Sequence, residues 1–153
     1  MRSFSQIYIM AVFGVKFRLG LIDRVWKLQL YSVMGNTLNN IDGTVAVRIG
    51  GIADHVHVLF TTQGLVAEAE IIRKLKSDSS RWINEHRLTV GRFAWQDGNA
   101  RFSYSVNDIA QIIRYIDNQE EHHRRFSFRE ELDKLLQHSG MAYNGYNLPD
   151  EPA

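Results

Sequence analysis

Hydrophobic and polar positions along the chain predict four strands. Segments rich in Ile, Val, Tyr and Phe, residue types that favour sheets, are separated by glycine-containing turns and longer polar stretches. The predicted strands are about Ser5–Lys16, Thr44–Ile52, His55–Thr62 and Phe93–Ser105, the last with a break at Gly98.

Apolar residues at helical spacing predict four helices between and after these strands. Asn107 is the expected N-cap of the third helix, and Ser127 lies near the start of the fourth. The predicted helices are about Asp23–Leu38, Val66–His86, Asn107–Gln119 and Phe126–Gln137.

The order of these elements predicts an α+β fold, a ferredoxin-like antiparallel sheet of the β-α-β-β-α-β type with additional C-terminal helices. We expect one domain over residues 1–153, with a flexible tail at about 147–153.

Helices should cover one face of the sheet and leave the other face free for a site. In the third strand, Val56, Val58 and Phe60 would point towards the helices, because side chains alternate along a strand. His55 and His57 would then share the free face.

Composition narrows the class of protein without naming a function. A chain of 153 residues with 44% hydrophobic and 23% charged residues is ordinary for a soluble domain. The absence of cysteine excludes disulfides, thiolate metal sites and cysteine nucleophiles, and it fits the cytoplasm. The apolar N-terminal segment is interrupted by Gln6 and Tyr8, so we expect a strand and no membrane segment or signal peptide.

A cluster of basic and hydroxyl side chains lies on the predicted second helix, although the net charge is only +1. Such side chains beside Trp82 can hold phosphates and stack a base, which makes them candidates for DNA binding. The alternative is an amphipathic helix with a solvated outer face, and both can be true of one helix. The candidates are Lys74, Lys76, Ser79, Ser80 and Arg81.

The triplet His55-Val56-His57 is the most informative motif for chemistry. Two histidines two residues apart on a strand project from the same face, close enough to share one divalent ion. The pattern is short, so two polar residues on an exposed strand, or a satisfied core histidine, remain alternatives.

A second candidate group lies on the predicted third helix, where Tyr115 and Gln119 are one turn apart. A phenol can attack phosphorus as a nucleophile, and the Gln119 amide oxygen can complete a site for Mg²⁺ or Mn²⁺. An aromatic packed at the core edge beside a solvated glutamine is the alternative. His122 and His123 are left out of the metal site, because adjacent side chains on a helix diverge by about 100°; phosphate contact or solvent exposure is expected for them.

Taken together and in order, these motifs resemble the single-tyrosine HUH transposases of the smallest bacterial insertion sequences. HUH denotes histidine, hydrophobic residue, histidine. The similarity covers roughly Ser5 to Tyr143, and its motifs are Gly51–Leu59, Lys74–Lys76, Ser79–Asn84, Phe93–Gln96, Phe102-Ser103, Tyr115-Ile116 and Asn118–His123.

The resemblance implies an enzyme that cuts and rejoins single-stranded DNA at hairpin-bearing element ends. His55, His57 and Gln119 would hold one Mg²⁺ or Mn²⁺, and Tyr115 would form a 5′-phosphotyrosine and release a 3′-hydroxyl. Of the six tyrosines, Tyr115 alone has a candidate ligand, Gln119, one helical turn away. The resemblance also implies a homodimer in which the tyrosine helix of one subunit completes the site of the other. It further implies a bacterial cytoplasmic location and DNA hairpins held by the basic helix.

Three other classes of function remain compatible with the residues. One is a noncatalytic module that binds single-stranded nucleic acid on its sheet, and another is a metal-dependent hydrolase in which Tyr115 is structural. The third is a domesticated transposase relative that keeps the motifs without moving DNA. A covalent protein–DNA adduct would separate an active transposase from the first two.

Overall fold

A computed structural model of the chain describes residues 1–141 and shows one four-stranded antiparallel sheet. The central strands β3 and β1 pair over their whole length, from Ile7 opposite Thr62 to Gly14 opposite His55. The spatial order is β2-β3-β1-β4, which is the ferredoxin-like arrangement, and the predicted fold class is confirmed. The strands are β1 Ile7–Gly14, β2 Thr44–Ile52, β3 His55–Thr62 and β4 Ala100–Tyr104.

Two long helices pack on one face of this sheet. They are α1 (Lys27–Asn39) and α2 (Glu68–Glu85), and alternate side chains of β1 and β3 point towards them. The set predicted from strand alternation, Val56, Val58 and Phe60, is fully buried in this main core.

The opposite face of the sheet is covered as well, which corrects the expectation of a free face. Three shorter helices lie there, namely α3 (Ile109–Asp117), α4 (Gln119–His122) and α5 (Phe128–His138). Met10 and Leu59 on that face are apolar and form a second core with residues of α3 and α5. Burial of such side chains is favourable, so the C-terminal helices cover the face that carries the histidines.

Local differences from the predicted elements have identifiable causes. The predicted fourth strand loses its first half, because Phe93 and Trp95 enter the main core and only an isolated bridge joins Val15 to Trp95. The third helix ends at Asp117, since Asn118 leaves the helical region (φ −98°, ψ 19°), and Gln119 begins α4. Asn107 does not cap α3; a short 3-10 turn over 106–108 precedes the helix.

Two expectations concern the ends of the chain and membranes. Within residues 1–141 no helix has both the length and the apolar character that crossing a bilayer requires. The tail expected to be flexible, about residues 147–153, lies outside the described residues.

Candidate active site

His55 and His57 lie side by side on β3, under the C-terminal helices. Both are fully buried, and their rings stand 5.2 Å apart between centroids. The alternative of an exposed strand face is therefore wrong. Two buried imidazoles on one face require polar partners, because burying an unpaired polar group costs free energy.

The carboxylate of Asp54 fixes the orientation of the His55 ring. Its Nδ1 lies 2.7 Å from Asp54 Oδ1, and Asp54 is in turn paired at 3.1 Å with the buried guanidinium of Arg18. Burial alone would lower the pKa of His55, but the carboxylates of Asp54 and Glu131 together raise it. The hydrogen bond at Nδ1 turns Nε2 towards the centre of the site.

His57 presents its Nε2 to the same centre, 3.0 Å from Glu131 Oε1. Its Nδ1 is buried and has no hydrogen-bond partner within residues 1–141. Burial lowers the pKa of His57, which favours the neutral imidazole that divalent ions bind.

The helix pair α3–α4 brings Tyr115 and Gln119 onto the two histidines. Tyr115 contacts His57 edge to face with centroids 5.5 Å apart, and Gln119 Oε1 lies 3.1 Å from His55 Nε2. A close approach at Gly50 of β2 permits this position, because a β-carbon there would lie 2.8 Å from the Ile116 carbonyl oxygen. The structure thus brings together His55, His57, Tyr115 and Gln119, the four residues that the sequence placed in one site.

Glu131 of α5 stands at the centre of this group and was not anticipated from the sequence. Its carboxylate is 1% exposed and accepts hydrogen bonds from the Tyr115 hydroxyl and from Gln119 Nε2. Burial would raise its pKa, but hydrogen bonds with His123, His55 and His57 hold the pKa of Glu131 below its ordinary value. The same carboxylate, with burial, raises the pKa of Tyr115.

A signal for Glu131 did exist in the sequence. The residue lies on the apolar face of α5, one helical turn after Phe128 and next to Leu132, both of which are buried. A carboxylate on the buried face of an amphipathic helix is rarely left unpaired, and a site is one way of pairing it. The capping box of Ser127 and Glu130 fixes the start of this helix.

His123 also belongs to the site, against the expectation that it would be exposed. Its side chain is 5% exposed, and its Nε2 lies 3.0 Å from Gln119 Oε1 and 3.1 Å from Glu131 Oε1. His122 approaches the other oxygen, with Nε2 3.2 Å from Glu131 Oε2. Although adjacent side chains on a helix diverge, both rings reach the Glu131 carboxylate, and the ligand atoms of the three residues lie within 4.8 Å of one another.

The five residues predicted to bind DNA are distributed over three environments of α2, on the far side of the sheet from the histidines. Ser79 is buried and accepts a hydrogen bond from Trp95 Nε1 at 2.9 Å, so its hydroxyl is part of the core. Lys76 is half-buried and donates to the carbonyls of Gln96 and Gly98 at 2.9 and 2.6 Å. Ser80 lies on that same side. Lys74 and Arg81 are exposed on the opposite side, towards α1.

An open cavity of about 400 Å³ leads from solvent to the nucleophile candidate. Its lining includes Tyr104, Tyr115, His122, Glu131 and Lys134. Tyr115 can therefore be reached from solvent through this cavity.

The donor atoms at the centre fit a divalent cation. Imidazole nitrogens, a carboxylate and an amide oxygen converge there, and each of these groups can bind such an ion. The atoms of His55, His57 and Glu131 that would bind an ion all lie within 4.8 Å of one another.

Comparisons with known proteins identify a family and a shared fold. Residues 3–119 match the family described as Transposase IS200 like. A crystal structure described as a candidate transposase from Deinococcus radiodurans R1 superposes with a TM-score of 0.61 at 19% identity, covering 78% of this chain and 95% of that one. A REP-associated tyrosine transposase bound to a REP hairpin gives 0.60 at 12% identity, covering 80% and 72%. The search of curated proteins gave no match. Because the family match spans well over half of the sequence, the chain belongs to the IS200-like transposase family.

Proposed function

We propose that this protein cuts and rejoins single-stranded DNA, with Tyr115 as the nucleophile and a divalent ion held by His55, His57 and Gln119. One observation carries the proposal: a tyrosine hydroxyl and two buried imidazoles meet at a single carboxylate, below an open cavity. A purely structural tyrosine would not require buried histidines beside it.

In the proposed reaction the Tyr115 hydroxyl oxygen attacks the scissile phosphorus. A bond forms between phosphorus and the phenolic oxygen, the bond from phosphorus to the 3′-oxygen breaks, and the 3′-oxygen leaves as a hydroxyl. The 5′-phosphate remains on the tyrosine until a 3′-hydroxyl attacks it and releases the enzyme. Phosphodiester energy is retained in the phosphotyrosine, so strand joining needs no nucleotide cofactor.

The residues around Tyr115 orient its hydroxyl, which donates a hydrogen bond to Glu131 Oε2. The proton that the phenol loses on attack balances the proton that the leaving 3′-oxygen gains. The pKa of Tyr115 is raised by burial and by this carboxylate, so the phenol stays protonated until a substrate is in place. A bound Mg²⁺ or Mn²⁺ would polarise the phosphate and offset its negative charge.

For the substrate we propose a folded single strand with a hairpin. The structural neighbour described above is bound to a REP hairpin, and the cavity over Tyr115 is open enough to admit a strand. Lys74 and Arg81, on the far face of the sheet, would contact phosphates of the hairpin away from the cut.

Assembly and location follow from the family resemblance. We expect a homodimer that acts in the bacterial cytoplasm. Tyr115 lies beside the histidines of its own chain, which supports the proposal that the tyrosine acts within one subunit.

A cleavage assay with two phenylalanine variants tests the proposal. Tyr115→Phe removes one oxygen and little packing, so we expect hairpin binding to persist while Mn²⁺-dependent cleavage is lost. Tyr31→Phe is the matched control, because the Tyr31 hydroxyl is buried without a hydrogen-bond partner in the described part of the chain. Undiminished cleavage by Tyr115→Phe would refute the assignment.

A further inference from the structure

The centre of the site contains more hydrogen-bond acceptors than donors. His55 Nδ1 faces the Asp54 carboxylate, and His123 Nδ1 faces the Phe126 carbonyl oxygen at 2.7 Å, so each ring carries its hydrogen on Nδ1. In the neutral rings the two Nε2 atoms are therefore lone-pair acceptors, and both point inwards.

Two oxygens face these nitrogens. The Gln119 amide donates through Nε2 to Glu131 Oε2 at 3.0 Å, which leaves its Oε1 towards the rings. Gln119 Oε1 is 3.1 Å from His55 Nε2 and 3.0 Å from His123 Nε2. Glu131 Oε1 is 3.2 Å from His55 Nε2 and 3.1 Å from His123 Nε2.

Four acceptor atoms at these separations repel one another unless positive charge lies between them. One divalent ion between them would supply that charge. Ligands bound at about 2.1 Å in an octahedral sphere stand about 3.0 Å from their neighbours, which is close to the separations observed here.

From this arrangement we infer that Glu131 is itself a ligand of the metal ion, through Oε1 and beside His123, while its Oε2 holds the Tyr115 hydroxyl. The inference rests on the proposed function for the presence of a divalent ion. It adds a carboxylate from α5, beyond the segment 3–119 that matches the family. It also makes α5 part of the metal site. The alternative is that the metal site is complete without α5 and that the Glu131 side chain only fills it, as a plug.

Titration of the full-length protein with Mn²⁺, by calorimetry and by the decrease of the free-ion EPR signal, tests this inference without DNA. We compare Glu131→Gln with Glu130→Gln. The second variant removes an exposed carboxylate one residue away, and glutamine preserves the capping box. Glu131→Gln should weaken Mn²⁺ binding by on the order of tenfold or more, since removal of groups that merely support ligands already costs that much. Glu130→Gln should bind as the wild type does.

The possible outcomes distinguish failure of the inference from failure of the proposed function. If Glu131→Gln binds Mn²⁺ as tightly as the wild type or more tightly, the inference is overturned and Glu131 only fills the site. The proposed function would remain intact. A wild-type protein that binds no Mn²⁺ would overturn the inference together with the metal part of the proposed function. If glutamine at 131 prevents folding, judged by circular dichroism, Glu131→Asp and Glu131→Asn provide the same comparison, because they differ in charge and not in length.

Discussion

At the scale of single residues, the site depends on which ring nitrogen each histidine turns inwards. His55 is the clearest case, because the chain from Arg18 to Asp54 to His55 Nδ1 leaves only Nε2 for a ligand. Carboxylates that hold a histidine in this way orient metal ligands in many proteins.

Asp54→Asn should therefore weaken the metal site while leaving the fold in place. The asparagine keeps an acceptor for Nδ1 but removes the charge that supports His55 and pairs with Arg18. Mn²⁺ affinity should fall by roughly tenfold, measured by calorimetry. Asp42→Asn, which changes an exposed carboxylate remote from the site, should have no effect. Equal affinity in both variants would show that Asp54 does not orient His55.

At the scale of elements, the position of Tyr115 is set by how closely α3 approaches β2. Gly50 permits this approach, because an added β-carbon would meet Ile116 Cγ2 at 2.7 Å and the Ile116 carbonyl oxygen at 2.8 Å. The contact involves backbone atoms, so the helix itself must move to relieve it.

Gly50→Ala should lower stability and reduce cleavage more than it reduces DNA binding. Overpacking of this kind costs about 1–3 kcal/mol, and a shifted helix misplaces the nucleophile. Thermal melting and cleavage rates of purified variants measure the two effects. Gly35→Ala is the control, since its β-carbon would meet nothing within 4 Å in the middle of α1, and it should stabilise by about 1 kcal/mol. A fully active, fully stable Gly50→Ala would contradict this account of helix placement.

The strands and helices show which parts of the fold could be predicted from the sequence. Strands β2 and β3 have the predicted bounds, because the alternation of side chains along a strand is a local signal. The break at Asn118 and the docking of α5 depend on contacts with the sheet, which no local pattern records. For the same reason four members of the site were predicted, whereas Glu131 and His123 were missed: their roles depend on two short helices packing together.

At the scale of the whole molecule, the tyrosine and the histidines belong to one chain. Tyr115 contacts His57 and the carboxylate that His57 faces, so the proposed catalytic group lies within one chain. The account therefore predicts that the tyrosine acts on the metal site of its own subunit.

A mixture of two inactive variants tests that arrangement. Tyr115→Phe and His57→Ala, combined after each is purified, should remain inactive on single-stranded hairpin DNA, because neither protein has both groups in one site. Sedimentation of the same mixture shows whether mixed dimers form. Cleavage restored by mixing would mean that the tyrosine acts on the partner's metal site.

DNA binding should depend on the exposed face of α2 through its charges. Lys74→Gln with Arg81→Gln should weaken hairpin binding and make its salt dependence shallower, by about one unit of slope for each phosphate that is no longer neutralised. Fluorescence anisotropy at several salt concentrations measures both quantities. Glu85→Gln, on the same helix, changes an exposed residue of opposite charge and should not weaken binding. An unchanged slope in the double variant would place the hairpin elsewhere.

The central claim is that Tyr115 becomes covalently linked to DNA. The most direct test incubates the wild-type protein with Mn²⁺ and a pool of single-stranded hairpin oligonucleotides with randomised flanks, and then maps the nucleotide-bearing peptide by tandem mass spectrometry. The account predicts a 5′-phosphate adduct on Tyr115 that is absent without Mn²⁺. An adduct on another tyrosine, such as Tyr104 in the same cavity, or cleavage without any adduct, would contradict it.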